Sequence, residues 1–239
     1  MTTALASVLD LMLPRECGGC ESVGTLWCAR CERALTADPV DVRPRVDPGV
    51  PCWAVGTYTG PRRGAVLALK ERGRRDLADP LGRAVGRAVD RLRTFGHIDP
   101  PELSALVLVP APTRARAARI RGGDPVERMA RAAAASLAPE YVSVPGLLRM
   151  RKGVRDSVGL GAAARASNVA GRIDFVPTTP PGRSVGSNTC GTTGVRGSYG
   201  RTVLLVDDVL TTGATACESV RVLESFGVHP DGVLVVAAV

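Results

Sequence analysis

The stretch Val203-Leu204-Leu205-Val206-Asp207-Asp208-Val209-Leu210-Thr211-Thr212-Gly213-Ala214-Thr215 constrains this chain more than any other. Residues 203–206 form a continuous apolar run, the pattern of a strand buried in a parallel sheet. Asp207 and Asp208 are expected to stop that run. Residues 211–215 read as a hydroxyl- and glycine-rich turn. An amphipathic helix follows from Ala214, with Ala216, Val220 and Leu223 at helical spacing and Gly227 as its C-cap. A strand, a tight turn and a helix start bring backbone N–H groups and the helix dipole to one point, which suits an anion. Gly213 permits close approach of the backbone, and the threonine hydroxyls add donors. Two adjacent carboxylates would repel that anion. They suit a polyhydroxyl group, or a metal nearby.

This segment resembles the phosphoribosyl-diphosphate (PRPP) motif of type I phosphoribosyltransferases. The resemblance implies that Asp207 and Asp208 hold the ribose hydroxyls. It also implies that the T-T-G-x-T turn, here Thr211, Thr212, Gly213, Ala214 and Thr215, holds the 5-phosphate. The fold implied is a type I phosphoribosyltransferase-like α/β fold, a parallel sheet flanked by helices.

The chain has 239 residues, enough for one sizeable α/β core with a small appendage. No apolar run approaches the length of a membrane span. The N-terminus lacks a basic region followed by a long apolar core, so no signal peptide is expected and a cytoplasmic location is. A net charge of +8 fits an anionic ligand and also fits nucleic acid. Nearly all of that positive charge is arginine, with Lys70 and Lys152 the two lysines. Three Phe, three Tyr and two Trp are too few for a base-stacking platform.

Four of the seven cysteines form a C-x2-C-x7-C-x2-C pattern: Cys17, Cys20, Cys28 and Cys31. Each C-x2-C pair can aim two thiolates at one ion, and two pairs complete a tetrahedral zinc site. Four thiolates leave no open coordination position, so the zinc is expected to be structural. A segment this small cannot bury its own core, and metal binding would supply its folding energy.

Three regions are expected. Residues 1–37 read as a short apolar helix and a zinc-ribbon-like module. Residues 38–52, with four prolines, read as a linker. Residues 53–239 read as the main domain, with 177–200 a flexible Gly/Ser/Thr/Pro-rich insertion. Within that domain, residues 53–58 suggest a strand, and helices are expected from about Pro61 to Lys70 and from Asp76. The basic turn from Lys70 to Arg75 reads as a solvated patch. Residues 105–109 form a second buried strand, ending in Pro110-Ala111-Pro112-Thr113-Arg114. Asp124, Pro125 and Glu127 mark a helix start as N-cap, N1 proline and capping-box acid. Residues 149–157 form a basic loop containing Arg151 and Lys152, suited to close over an anion and exclude water. Residues 233–239 give a terminal strand.

The order of these parts resembles the ComF family of competence-associated, phosphoribosyltransferase-like proteins. The pieces that match are the four-cysteine cluster, the Lys70 segment, Val109-Pro110-Ala111-Pro112, Arg121-Gly122, Arg165-x-x-Asn168 and the segment from Asp207 to Thr215. The chain departs from the family at Gly123-Asp124-Pro125, where Phe-Asn-Gln is usual, and at Ser157, where Gln is common. The resemblance implies displacement at the anomeric carbon of PRPP with Mg2+-pyrophosphate leaving. Ala111, Pro112, Thr113 and Arg114 would meet the pyrophosphate, and Arg151 or Lys152 would close over it. The family also implies a second role without catalysis, in DNA uptake, with single-stranded DNA or a helicase as partner and the PRPP-type site kept as a sensor.

Overall fold

The computed structural model describes residues 15–113, 123–151, 169–177 and 200–239. The expected helix before Pro14 and nearly all of the 177–200 insertion lie outside them. Among the described residues the main sheet has five strands: β1 (Val40–Asp41), β2 (Cys52–Ala54), β3 (Ser104–Pro110), β6 (Gly200–Leu210) and β7 (Gly232–Ala238). Their order is β1-β2-β7-β6-β3. Every pairing is parallel except the β1–β2 edge. Strands buried on both faces need unbroken apolar sequence, and β7 is buried at all seven of its positions. A separate antiparallel pair, β4 (Leu148–Met150) and β5 (Ile173–Phe175), lies apart from this sheet.

Helices cover both faces. On one side are α2 (Gly60–Glu71), α3 (Ala78–Thr94) and α4 (Pro125–Ser136), which share a core with Leu106, Leu108, Leu204, Val206, Leu234 and Val236. On the other, α5 (Ala214–Ser225) and the β4–β5 pair pack with Val109, Val203, Leu205, Val233 and Val235. Alternate residues of the same strands thus supply two different cores, as the period of two requires. A short helix, α1 (Ala29–Ala34), lies within the cysteine segment.

Two expectations change. Asp207 and Asp208 do not end their strand, since β6 continues to Leu210 and Asp207 pairs with Val235 of β7. Past Val206, where the pairing with β3 ends, β7 alone continues the ladder and satisfies the β6 backbone whatever the side chains are. The stretch 38–52 is also more than a spacer. Val40 and Asp41 pair with Ala54 and Trp53, and Val46 N–H donates to the Thr212 carbonyl at 2.8 Å. The prolines that suggested a free linker suit an edge strand and a strap equally well.

Asp124 and Pro125 start α4 as the sequence expects, whereas Glu127 turns to Arg131 in place of the expected capping box. Asp124 Oδ1 accepts from the N–H groups of Val126 (2.9 Å) and Glu127 (3.3 Å), with Pro125 in the first turn. Glu127 directs Oε1 to the Arg131 guanidinium at 2.6 Å. Asp124 Oδ2 meanwhile accepts from the Thr113 hydroxyl at 2.6 Å, tying the loop after β3 to the helix. Asp124→Ala therefore removes a cap and a loop anchor together. It is expected to lower stability by about 1–2 kcal/mol in chemical denaturation, and Asp124→Asn to recover most of that loss.

Candidate functional site

The carboxyl ends of β3 and β6 carry the candidate residues, at the edge where parallel α/β sheets place ligands. Asp208 is 1% exposed. A bare carboxylate there would be costly, and Lys70 of α2 answers it, with Nζ 2.7 Å from Oδ1. Neither Asp208 oxygen has a well-angled hydrogen bond among the described residues, so the contact is one of charge. The Lys70 side chain remains 34% exposed and so spans the distance from the buried acid to solvent. Burial opposes its charge, but the Asp208 and Asp207 carboxylates outweigh that effect and hold the ammonium above the usual lysine range.

Asp207 is half-buried. Its Oδ1 accepts from the Asp208 backbone N–H at 2.8 Å. Burial, and then the Asp208 carboxylate, push its carboxyl well above the usual range against the pull of Lys70. The two acids therefore differ: Asp208 is enclosed and paired, and Asp207 is the more exposed of the two.

The turn follows directly. Gly213 has φ +87° and stands at the N-terminus of α5, a left-handed position that suits glycine. The first turn of α5 holds no acidic residue. Thr211 is exposed and Thr215 half-buried, whereas Thr212, Gly213 and Ala214 are buried. Part of that burial comes from the strap. A Cβ on Gly213 would collide with the Val46 carbonyl oxygen and lie 2.7 Å from Pro44 Cβ. A cavity of about 650 Å³ is bounded by residues 41–52 themselves and includes neither acid nor any turn residue.

The other expected residues divide. Ala111 and Pro112 are buried beside β6, with Ala111 N–H donating to the Val206 carbonyl at 2.8 Å. Thr113 is half-buried and spends its hydroxyl on Asp124. Arg151 is exposed, and its guanidinium binds Asp174 Oδ1 at 2.6 Å and the Gly171 carbonyl at 3.1 Å, across the β4–β5 pair. Arg114 and Lys152 lie outside the described residues. Lys70 is the residue that sequence reasoning missed when it read a solvated turn. A signal was present, because Lys70 falls four residues after Val66 and next to Leu69, on the stripe that α2 buries.

The four cysteines form a second centre. Their Sγ atoms all lie within 4.8 Å of one another, with Cys17–Cys31 and Cys20–Cys28 both at 3.6 Å. A tetrahedron with metal–sulfur bonds near 2.3 Å sets its sulfurs about 3.8 Å apart, so the arrangement fits one metal ion. Cys28 N–H points at Cys17 Sγ at 3.4 Å, the kind of donor that stabilises a thiolate. The Ser22 hydroxyl, the Ser22 N–H and Arg30 lower the Cys20 thiol to about 5. Burial works against Cys17, but the N–H groups of Gly19, Cys20 and Cys28 outweigh it and lower its thiol too.

No protein-family model matches the chain, and no curated protein matches it. Among the described residues no helix is long and apolar enough to cross a membrane.

The raised Asp207 carboxyl makes a signed prediction. A group whose folded pKa lies above its unfolded value favours folding most at low pH and loses that advantage as pH rises. Asp207→Asn should therefore stabilise the protein at neutral pH. The gain should fade as pH falls towards about 4, where the unfolded carboxyl also protonates. Parallel urea melts at pH 7 and pH 4 test this.

Proposed function

We propose that this chain is a PRPP-binding protein of the phosphoribosyltransferase type, of the ComF kind, with an N-terminal zinc module. One observation carries the reading: a buried parallel strand delivers two acids straight into a glycine-centred turn that starts a helix free of acidic residues in its first turn. Acids for a diol and a helix start for a phosphate stand one turn apart, as a phosphorylated sugar requires.

In this reading residues 211–215 bind the 5-phosphate through backbone N–H groups and threonine hydroxyls. Asp207 accepts from the ribose hydroxyls, and Asp208 supports it from below, its charge balanced by Lys70. The pyrophosphate lies towards Ala111, Pro112 and Thr113, which the Asp124 anchor steadies. Arg114 and Lys152 join this group on sequence grounds. In the present arrangement Arg151 is engaged by Asp174, so closing over the ligand requires it to exchange that partner. Magnesium, arriving with the diphosphate, supplies neutralisation of the leaving group. The reaction is displacement at the anomeric carbon. It needs positioning and charge stabilisation, and no nucleophile from the protein.

Titration calorimetry with PRPP and Mg2+ tests this. Wild type should bind, and Gly213→Ala should lose at least tenfold in affinity, since alanine is strained at that φ and its Cβ meets the strap. Asp207→Asn should also weaken PRPP while leaving inorganic phosphate binding nearly unchanged. Absence of PRPP binding, together with single-stranded DNA binding that falls steeply with salt, would overturn the reading in favour of the DNA-uptake role.

Metal analysis of the purified chain should find one zinc per molecule. Cys28→Ser should reduce that content and lower the thermal midpoint, because the module folds around its ion.

A further inference from the structure

We propose that the four-cysteine module is a positioning device for Lys70, so that metal binding at the cysteines and ligand binding at the acid pair are coupled. The ligand half of this rests on reading the acid pair as a sugar site; the positioning half does not.

The module grips α2 and the turn after it on both sides of Lys70. Six residues before Lys70, the Gly19 carbonyl oxygen of the first cysteine knuckle occupies the place where a Cβ on Gly64 would be. Backbone meets backbone there, and any side chain at 64 would part them. Four residues after Lys70, Arg74 sends Nη1 to the Glu16 carbonyl (2.9 Å) and Nη2 to the Leu26 carbonyl (3.1 Å). Asp76 holds that guanidinium in place through both carboxylate oxygens, at 2.8 and 2.7 Å. Leu77 then lays its methyls over Gly18, between the first two cysteines. An exposed Arg72–Glu21 pair adds a contact at 2.6 Å.

The acceptors of Arg74 are carbonyls whose direction exists only while the cysteine segment is folded. Glu16 and Leu26 each lie within two residues of a metal-ligating cysteine. A segment this short keeps its shape through its ion. Loss of the metal therefore removes the Arg74 acceptors and the Gly64 contact together. The end of α2 then loses the supports that aim Lys70 at Asp208. By linkage, whatever binds the acid pair in its Lys70-paired form must strengthen metal retention by the factor that the metal strengthens it.

The chain's composition makes a clean test, because Lys70 and Lys152 are the only lysines. Protein labelled with 13C,15N-lysine shows two side-chain signals, assigned with Lys152→Arg. In zinc-loaded full-length protein the Lys70 signal should be displaced from the free-lysine position. It should move to that position in Lys70-retaining protein stripped of metal, while the backbone amide signals of β6 and β7, followed in a second, uniformly 15N-labelled sample, hold. Arg74→Met should move it likewise with zinc content unchanged, and it decides the matter if stripping unfolds the whole chain. A Lys70 signal that stays displaced in Arg74→Met protein overturns the proposal.

PRPP affinity gives the second readout. It should fall about tenfold in Arg74→Met, and the Arg74 effect should shrink below about twofold in a Lys70→Met background, since the two act through one contact. An Arg74 effect that persists in full without Lys70 also overturns the coupling. If PRPP fails to bind loaded wild type, the sugar-site reading falls, and the lysine signal still decides the positioning.

Discussion

A carboxylate inside a protein needs a counter-charge, and the Lys70–Asp208 contact is where this fold meets that need. Asp208 is enclosed although it lies two residues past Val206, the last β6 position that β3 pairs; β7 still flanks the strand there. The same register that buries Leu204 and Val206 carries Asp208 towards the side where α2 packs. Opposite charges near the surface attract by several kcal/mol at an effective dielectric of about 20. Removing water from both charges consumes much of this, and the exposed third of Lys70 screens the remainder. The net value is smaller than the cost of losing either partner. This asymmetry makes the contact a positional constraint on α2 more than a source of stability.

Around that contact the candidate site gathers parts that lie far apart in the chain. The strap at Pro44 and Val46 backs the turn at Gly213. The cap at Asp124 holds the loop at Thr113. The knuckle at Gly19 meets α2 at Gly64. Each uses backbone or short polar groups, whose geometry is sharper than that of long side chains. A site built this way is held by rigid neighbours on several sides, which suits any ligand whose geometry must be fixed closely.

The two acids show how one motif yields two roles. Adjacent residues of a strand face opposite sides, so an acid pair in a strand divides its duties. Asp208 goes inward to Lys70. Asp207 remains half-buried, with its carboxyl raised by burial and by its neighbour. Keeping such a group is a cost to the fold, common where residues serve a ligand in place of stability.

Features encoded within a few residues are legible in the sequence alone. The apolar runs of β3, β6 and β7, the Asp124-Pro125 helix start, the glycine ending α5 and the doubled C-x2-C pattern all appear where local rules place them. The reading failed where a residue's fate depended on distant chain. Asp207 and Asp208 resembled a stop because carboxylates usually meet solvent, and β7 kept the strand going past the end of β3. The proline-rich 38–52 stretch resembled a spacer because its partners, Trp53, Ala54 and Thr212, are set by the sheet. The short β5 carried too few residues for a pattern to show. By itself the sequence determined the turn's backbone, the thiol spacing and the helix start, since sterics and short hydrogen bonds act between near neighbours. Tertiary structure decided which acid is buried and which lysine answers it, because burial is a property of packed layers and a charge seeks its partner across space.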